Sequence, residues 1–254
     1  MKKVLLGLLA ITISVNSWSA CTYAFDSTQA EFNEINNNPN LEFFPISSGQ
    51  KHSMNLIAGT APSPKTGYGY MAQSSAFINN KKLGIKDGDK DIFGTGVVAY
   101  EYKLKVPTSP LGSKGWLALF PTGSVSYLKN GETFDATIFY HNQSGKNELS
   151  VSLVNGSNSA IKTINVGNTA DGFQKVGIYI NQNSHQVGLI INNINYGYIL
   201  TLSDKVKNTS YVHSVVFHDI EINDANKPVS IELVTNRSNF SFTYPTGTTD
   251  ICGT

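Results

Sequence analysis

The 254-residue chain is nearly neutral, with 19 Lys and Arg against 18 Asp and Glu and a formal net charge of +1. With only 15% charged residues, it has neither the basic field that holds nucleic acid or anionic lipid nor an acidic tail. Its polarity comes from Asn, Ser, Thr and Gly, residues of turns and hydrogen-bonding surfaces, and its 40% hydrophobic content suffices for one substantial core.

Met1-Lys2-Lys3 is a short positive segment, Val4 to Val15 an apolar run, and Ser17, Ser19 and Ala20 a small-residue cleavage site. Residues 1–20 therefore read as a bacterial-type secretory signal peptide, and 21–254 as a single mature domain, periplasmic, extracellular or on the cell surface. The apolar run falls short of the ~20 residues a membrane helix needs, and no later stretch replaces it. The only two cysteines, Cys21 and Cys252, admit two readings. Export favours a disulfide between them, closing a loop worth on the order of 5 kcal/mol in the chain-entropy model. Alternatively, a cysteine directly after a leader can be lipidated. Ser19 and Ala20 suit that motif, but Trp18 stands where it requires an aliphatic residue.

Further along, Thr28 and Glu31 form a capping-box pattern with Phe32 and Ile35 on one face, which predicts one short helix. Asp87-Gly-Asp-Lys-Asp91 then places three carboxylates at two-residue spacing in a glycine-containing loop. Asp87, Asp89 and Asp91 are the candidate metal ligands, for calcium, and the sequence points to no other cofactor. A solvated turn leading into the strand at Val97 explains the same residues and is the favoured reading, since an EF-hand would need Gly and Glu where the chain has Ile92 and Val98. From Val97 to Val106 the two-residue period is clean: Val98, Tyr100, Tyr102, Leu104 and Val106 on one face, Glu101, Lys103 and Lys105 on the other. Further strands are expected over 116–120, 134–140, 149–154, 161–166, 173–180, 187–191, 211–222, 229–235 and 240–244. Asn130-Gly131, Ser144-Gly145, Asn155-Gly156 and Asp171-Gly172 mark turns between them. Regular strands without intervening helices predict an all-β fold, a jelly-roll β-sandwich of two antiparallel sheets with one short N-terminal helix. The missing terminal aromatic and the short strands argue against an outer-membrane barrel.

The segments Asp171–Asn181 and Val187–Gly197, followed by Val215–Ile222 as a closing strand, resemble the concanavalin A-like lectin/glucanase and laminin-G-like jelly rolls. That resemblance implies a topology in which the closing strand returns toward the N-terminal region and Cys21 and Cys252 meet. The opening Cys21-Thr-Tyr-Ala-Phe-Asp26 is similar to that of a group of secreted bacterial proteins to which no activity is attached. Neither resemblance assigns a function, since one fold hosts many.

In His218-Asp-Ile-Glu-Ile-Asn-Asp224, alternation puts Asp219, Glu221 and Asn223 on one face, where paired carboxylates could act as acid and nucleophile. The related glucanases carry a Glu-x-Asp-x-Glu pattern, and the flanking Glu residues are absent here. A polar outer face opposite Ile220 and Ile222 accounts for the segment, so no catalytic residue is assigned beyond Asp219 and Glu221 as candidates. No His-Glu-x-x-His, Gly-x-Ser-x-Gly or phosphate-cradling loop occurs. His213 and His218, five apart on one strand, project to opposite faces, and the histidines read as surface or edge residues. Tyr100, Tyr102, Trp116, Phe139, Tyr140, Tyr196 and Tyr198 supply aromatic surface of the kind sugars use, with Tyr100 and Tyr102 assigned to the core. His141, Asn193, Asn195 and Tyr196 are the ligand-binding candidates, as polar side chains in expected loops. The reading is a secreted, non-catalytic binding or surface-interaction module, with carbohydrate as its expected ligand. The alternatives are a glycan hydrolase or lyase on the same fold, and an adhesin or matrix component binding a surface protein. The last predicts an open edge strand or a large apolar patch.

Overall fold

The computed structural model describes residues 21–35, 41–59 and 68–254; the expected signal peptide and the lipidation motif around Trp18 lie outside them. The first described element is the expected helix, α1 (Gln29–Ile35). Its capping box forms as the sequence implies, Thr28 N donating to Glu31 Oε2 at 2.7 Å and Glu31 N to Thr28 Oγ1 at 3.2 Å. Then come β1 (Leu41–Phe43), β2 (Ile46–Ser48), β3 (Lys51–Asn55), β4 (Tyr68–Ala72), α2 (Ser75–Lys82) and β5 (Lys90–Asp91). The long strands follow: β6 (Val97–Lys105), β7 (Trp116–Leu128), β8 (Thr133–Gln143), β9 (Lys146–Asn155) and β10 (Asn158–Asn165). β11 (Gln174–Asn181), β12 (Gln186–Ile191), β13 (Ile194–Thr201), β14 (Val206–His218), β15 (Pro228–Val234) and β16 (Thr248–Thr249) complete the chain.

Two open sheets face each other as the jelly-roll sandwich that periodicity predicts. The first runs β1-β4-β14-β7-β8-β9-β10, with β5 also against β14, and the second runs β13-β12-β11-β6-β15-β3-β2, with β16 beside β6. Pairing is antiparallel except for β1 with β4 and β16 with β6. Between the sheets, β8 supplies Phe134, Ala136, Ile138 and Tyr140, β6 supplies Tyr100, Tyr102 and Leu104, and β14 supplies Tyr211, Val215 and Phe217, all buried. Tyr100 and Tyr102 are thus core, as alternation assigned them. Cys21 and Cys252 form a disulfide with their Cα atoms 5.8 Å apart. β16 brings Cys252 in beside β6, and Thr235 Oγ1, just beyond β15, donates to Cys21 O at 2.6 Å.

The structure corrects the sequence reading in four places. β1 to β5, β16 and α2 were not expected, because each strand has five residues or fewer, too few to show a two-residue period, and α2 is one capped octapeptide, Ser74 accepting from Phe77 N. β7 continues past Phe120 to Leu128. The strand expected over 211–222 begins at Val206 and stops at His218, where Asp219 adopts φ +52° and turns the chain. Asp219, Glu221 and Asn223 consequently share no strand face: the amides of Asp224 and Ala225 fold back on Glu221 O in a turn. Finally, residues 240–244 alternate like a strand but form none.

Candidate functional site

Each sheet has one face in the core, so a ligand must meet an outer face, and the chain itself covers one of them. Glu101 lies on the outer side of β6, yet it is 0% exposed. Its carboxylate accepts from Ser241 N at 2.8 Å, Phe242 N at 3.0 Å and Tyr244 Oη at 3.1 Å. That carboxylate replaces a neighbouring strand as acceptor for segment 240–244, whose Phe240, Phe242 and Tyr244 pack on Val97, Ala99, Tyr179 and Ile190. The outer face of the second sheet is thereby sealed along β6, β11 and β12.

On the first sheet, segment 87–91 runs along the edge of β14 and latches to it. Asn208 Nδ2 and Lys207 Nζ donate to Asp87 at 2.5 and 2.9 Å, and Gly88 N donates to Asn208 Oδ1 at 2.9 Å. Desolvation, the largest single influence, raises the Asp87 carboxyl, but the bonds from Asn208 and Lys207 and the Lys207 charge together outweigh it and hold the group below its ordinary value. Asp89 accepts from Tyr23 Oη at 2.9 Å, Ser210 Oγ at 2.6 Å and Ser74 Oγ. Asp91 belongs to β5, in register with Asn208. The three candidate calcium ligands therefore do not converge. Among the described residues, the one set of three or more acidic, His or Cys ligand atoms within 4.8 Å of one another is Cys21, Asp250 and Cys252, where both sulfurs belong to the disulfide.

What stays open is the outer face of β7 and β8 with the end of β14. Alternation on β8 turns Asp135, Thr137, Phe139 and His141 outward, opposite the buried Phe134, Ala136, Ile138 and Tyr140. Opposite Phe139, β7 has a bulge: Leu119 pairs with Tyr140 and Thr122 with Ile138, so Phe120 and Pro121 face one residue. On the other side of β7, where the ladder with β14 shifts register between Val212 and Val216, Thr122 Oγ1 donates to Ser214 O at 2.8 Å and accepts from Ser214 N at 3.0 Å. Phe120 is thrown outward, 50% exposed, its ring centroid 5.6 Å from that of Phe139. Phe139 stacks on His141 at 5.8 Å, His141 meets Trp116 at 6.2 Å, and Trp116 stacks on His218 at 5.1 Å. Five rings thus form a continuous half-exposed row across three strands, and His218 Nδ1 lies 3.1 Å from Asp219 Oδ2 at its end.

The sequence candidates divide on this geometry. His141 is in the row, on a strand rather than in a loop. Asn193, Asn195 and Tyr196 belong to the β12–β13 hairpin of the other sheet. Asn192 and Asn193 there adopt φ +47° and +70°, the left-handed pair a two-residue hairpin turn requires. Asn195 Oδ1 accepts from Tyr179 Oη and Gly197 N. Asp219 reaches the row through His218, whereas Glu221 packs beneath Gly112, where an added Cβ would lie 2.2 Å from its carboxyl carbon. Phe120 and His218 escaped the sequence reading. One signal was available, since Phe139 and His141 fall in the polar phase of β8. The reading of His213 as a surface or edge residue is also corrected: it is fully buried, its Nδ1 2.8 Å from that of His52.

No helix among the described residues is long and apolar enough to cross a membrane. No curated protein matches the chain in sequence. In fold it is similar to a laminarinase from Flavobacterium sp. UMI-01, at 11% identity and TM-score 0.44 over 74% of this chain and 78% of that one. It is also similar to a legume lectin-like domain from Entamoeba histolytica, at 11% identity and TM-score 0.39 over 75% and 87%. Alginate lyase A1-II′, a member of polysaccharide lyase family 7, is similar at 10% identity and TM-score 0.37 over 72% and 75%. These are concanavalin A-like jelly rolls, and at such scores the likeness carries no argument about activity. A family model matches residues 6–254, and on that match the chain belongs to the family described as "Domain of unknown function (DUF4882)".

Proposed function

We propose that this is an exported, non-catalytic carbohydrate-binding module that holds a glycan against the outer face of β7 and β8. The observation that carries the reading is the row of Phe120, Phe139, His141, Trp116 and His218, rings on the solvent side of a sheet where alternation ordinarily leaves polar residues. Their flat apolar faces with polar edges suit the faces and hydroxyls of sugar rings. A disulfide joining the two ends fits an oxidising compartment. The test is a glycan array followed by titration of any ligand found. Trp116→Ala is expected to weaken binding tenfold or more, about 1.4 kcal/mol, and His141→Ala less. Chelation is expected to leave binding unchanged, because Asp87 and Asp89 are bound to protein donors. A protein that binds no glycan would move the reading to a protein-binding surface component.

A second reading, glycan cleavage, has one observation in its favour. His218 is paired with Asp219, a non-glycine residue at φ +52°, and such backbone strain gathers at catalytic positions. Incubation of a bound glycan with the wild type and with His218→Gln decides it, since release of new chain ends by the wild type alone would make the module an enzyme.

A further inference from the structure

Beyond the bulge, the open face runs into a cavity of about 220 Å³ beneath α2. Gln73, Phe77 and Lys81 line it from the helix side, and Pro121, Tyr127 and Thr137 from the sheet. Pro121 follows Phe120, and Thr137 is the outward neighbour of Phe139 on β8, so the cavity and the aromatic row form one strip. Its volume is below the ~300–1,000 Å³ of drug-sized sites, and suits one ring rather than a chain.

Lys81 gives the cavity its chemistry. Its Nζ lies 4.2 Å from the Phe77 ring centroid and donates to Gln73 Oε1 at 3.3 Å. Among the described residues no carboxylate lies within 4.0 Å of it. The residue is exposed, and partial desolvation against the cavity draws its pKa down. An ammonium at the wall of this cavity, with an aromatic face on one side and no carboxylate beside it, is placed to meet an anion. Two carboxylates bear on neighbouring Tyr127. Asp87 is paired with Lys207 at 2.9 Å, and burial raises the Asp135 carboxyl above its ordinary value.

We propose that this cavity receives an anionic sugar residue, its carboxylate or sulfate paired with Lys81 Nζ, beside a sugar ring stacked on the aromatic row. The inference rests on the glycan-binding reading and goes beyond it by naming the ligand as an acidic glycan. Four polymers test it: polygalacturonate against its carboxyl-reduced form, and dextran sulfate against dextran. Wild type is expected to bind at least one acidic member tenfold or more tighter than its neutral partner. Lys81→Gln removes that preference, while Lys81→Arg and the exposed control Lys82→Gln retain it, with thermal unfolding midpoints checking that each variant is folded. Equal binding of acidic and neutral partners, or equal losses in Lys81→Gln and Lys82→Gln, overturns the acidic-ligand inference while leaving the stacking reading in place. Absence of binding to all four overturns the acidic-ligand inference, and the glycan array separately decides the stacking reading.

Discussion

At the scale of single residues, the least ordinary feature is a pair of histidines in the core. His52 and His213 are 1% and 0% exposed, and their Nδ1 atoms, 2.8 Å apart, share one hydrogen, so one ring donates and both are neutral. His213 Nε2 has no partner among the described residues. Phe25 and Phe44 pack on the pair, and Tyr102 faces His213 with its ring centroid 5.8 Å away. Among the described residues no carboxylate is hydrogen-bonded to either ring. Burial pushes His52 down to about 4 and, together with the His52 charge, takes His213 well below its ordinary value. A histidine whose folded pKa is depressed binds its proton more readily when unfolded, so its stabilisation is whole above about pH 6.5 and is lost as pH falls toward 4. Each group contributes a slope of about 1.4 kcal/mol per pH unit inside that window. Urea unfolding at pH 7.5, 6 and 5 is therefore expected to show a decline that His52→Gln/His213→Gln lacks. Parallel curves for the two proteins would contradict it.

At the scale of elements, legibility followed burial of apolar side chains. β6, β8 and β9 bury one phase and could be read directly, and the Thr28–Glu31 box announced α1 because capping is local chemistry. β14 was cut short because its first outward positions, Asn208 and Ser210, are polar yet buried, held by Asp87 and Asp89. Those contacts, more than 100 residues distant in sequence, cannot be seen in a window of ten. The open row was half legible: the phase of Phe139 and His141 was visible, whereas Phe120 needed the bulge to aim it. Segment 240–244 looked like a strand because its aromatics alternate, but its amides bond a carboxylate. That substitution makes Glu101 the hinge pin of the covering arm. Removing it in Glu101→Ala leaves two amides and the Tyr244 hydroxyl without an acceptor, at about 1–3 kcal/mol for each group that stays buried. The arm relieves this by lifting into water. Hydrogen exchange is accordingly expected to show Ser241 and Phe242 losing protection before β6 does, with Glu101→Gln intermediate, and unchanged protection of those amides in Glu101→Ala would remove Glu101 from this role.

At the scale of the whole molecule, closure of the chain on itself by Cys21 and Cys252 was legible from two residues, and the arrangement of edges was not. Each sheet ends openly on the same side of the sandwich, in β10 and β13, and Ile161 on the outer face of β10 is 62% exposed. An open edge of this kind is what an adhesin reading predicts, since unpaired amides and carbonyls invite a strand from another chain. The inward phase of β10 argues otherwise. Ala160 and Ile164 point between the sheets with Lys162 among them, and Lys162 Nζ stands 5.4 Å from the ring centroid of Tyr196 on β13. A charge pointing inward on an edge strand keeps its neighbourhood hydrated and makes docking of a second strand costly. Wild-type protein is expected to sediment as a monomer, and Lys162→Ile, which completes an apolar inner phase from Ala160 to Ile164, to shift toward dimers and larger species as concentration rises. If the variant sediments like the wild type across that range, Lys162 does not guard the edge, and a protein partner adding to β10 becomes the stronger reading of that side.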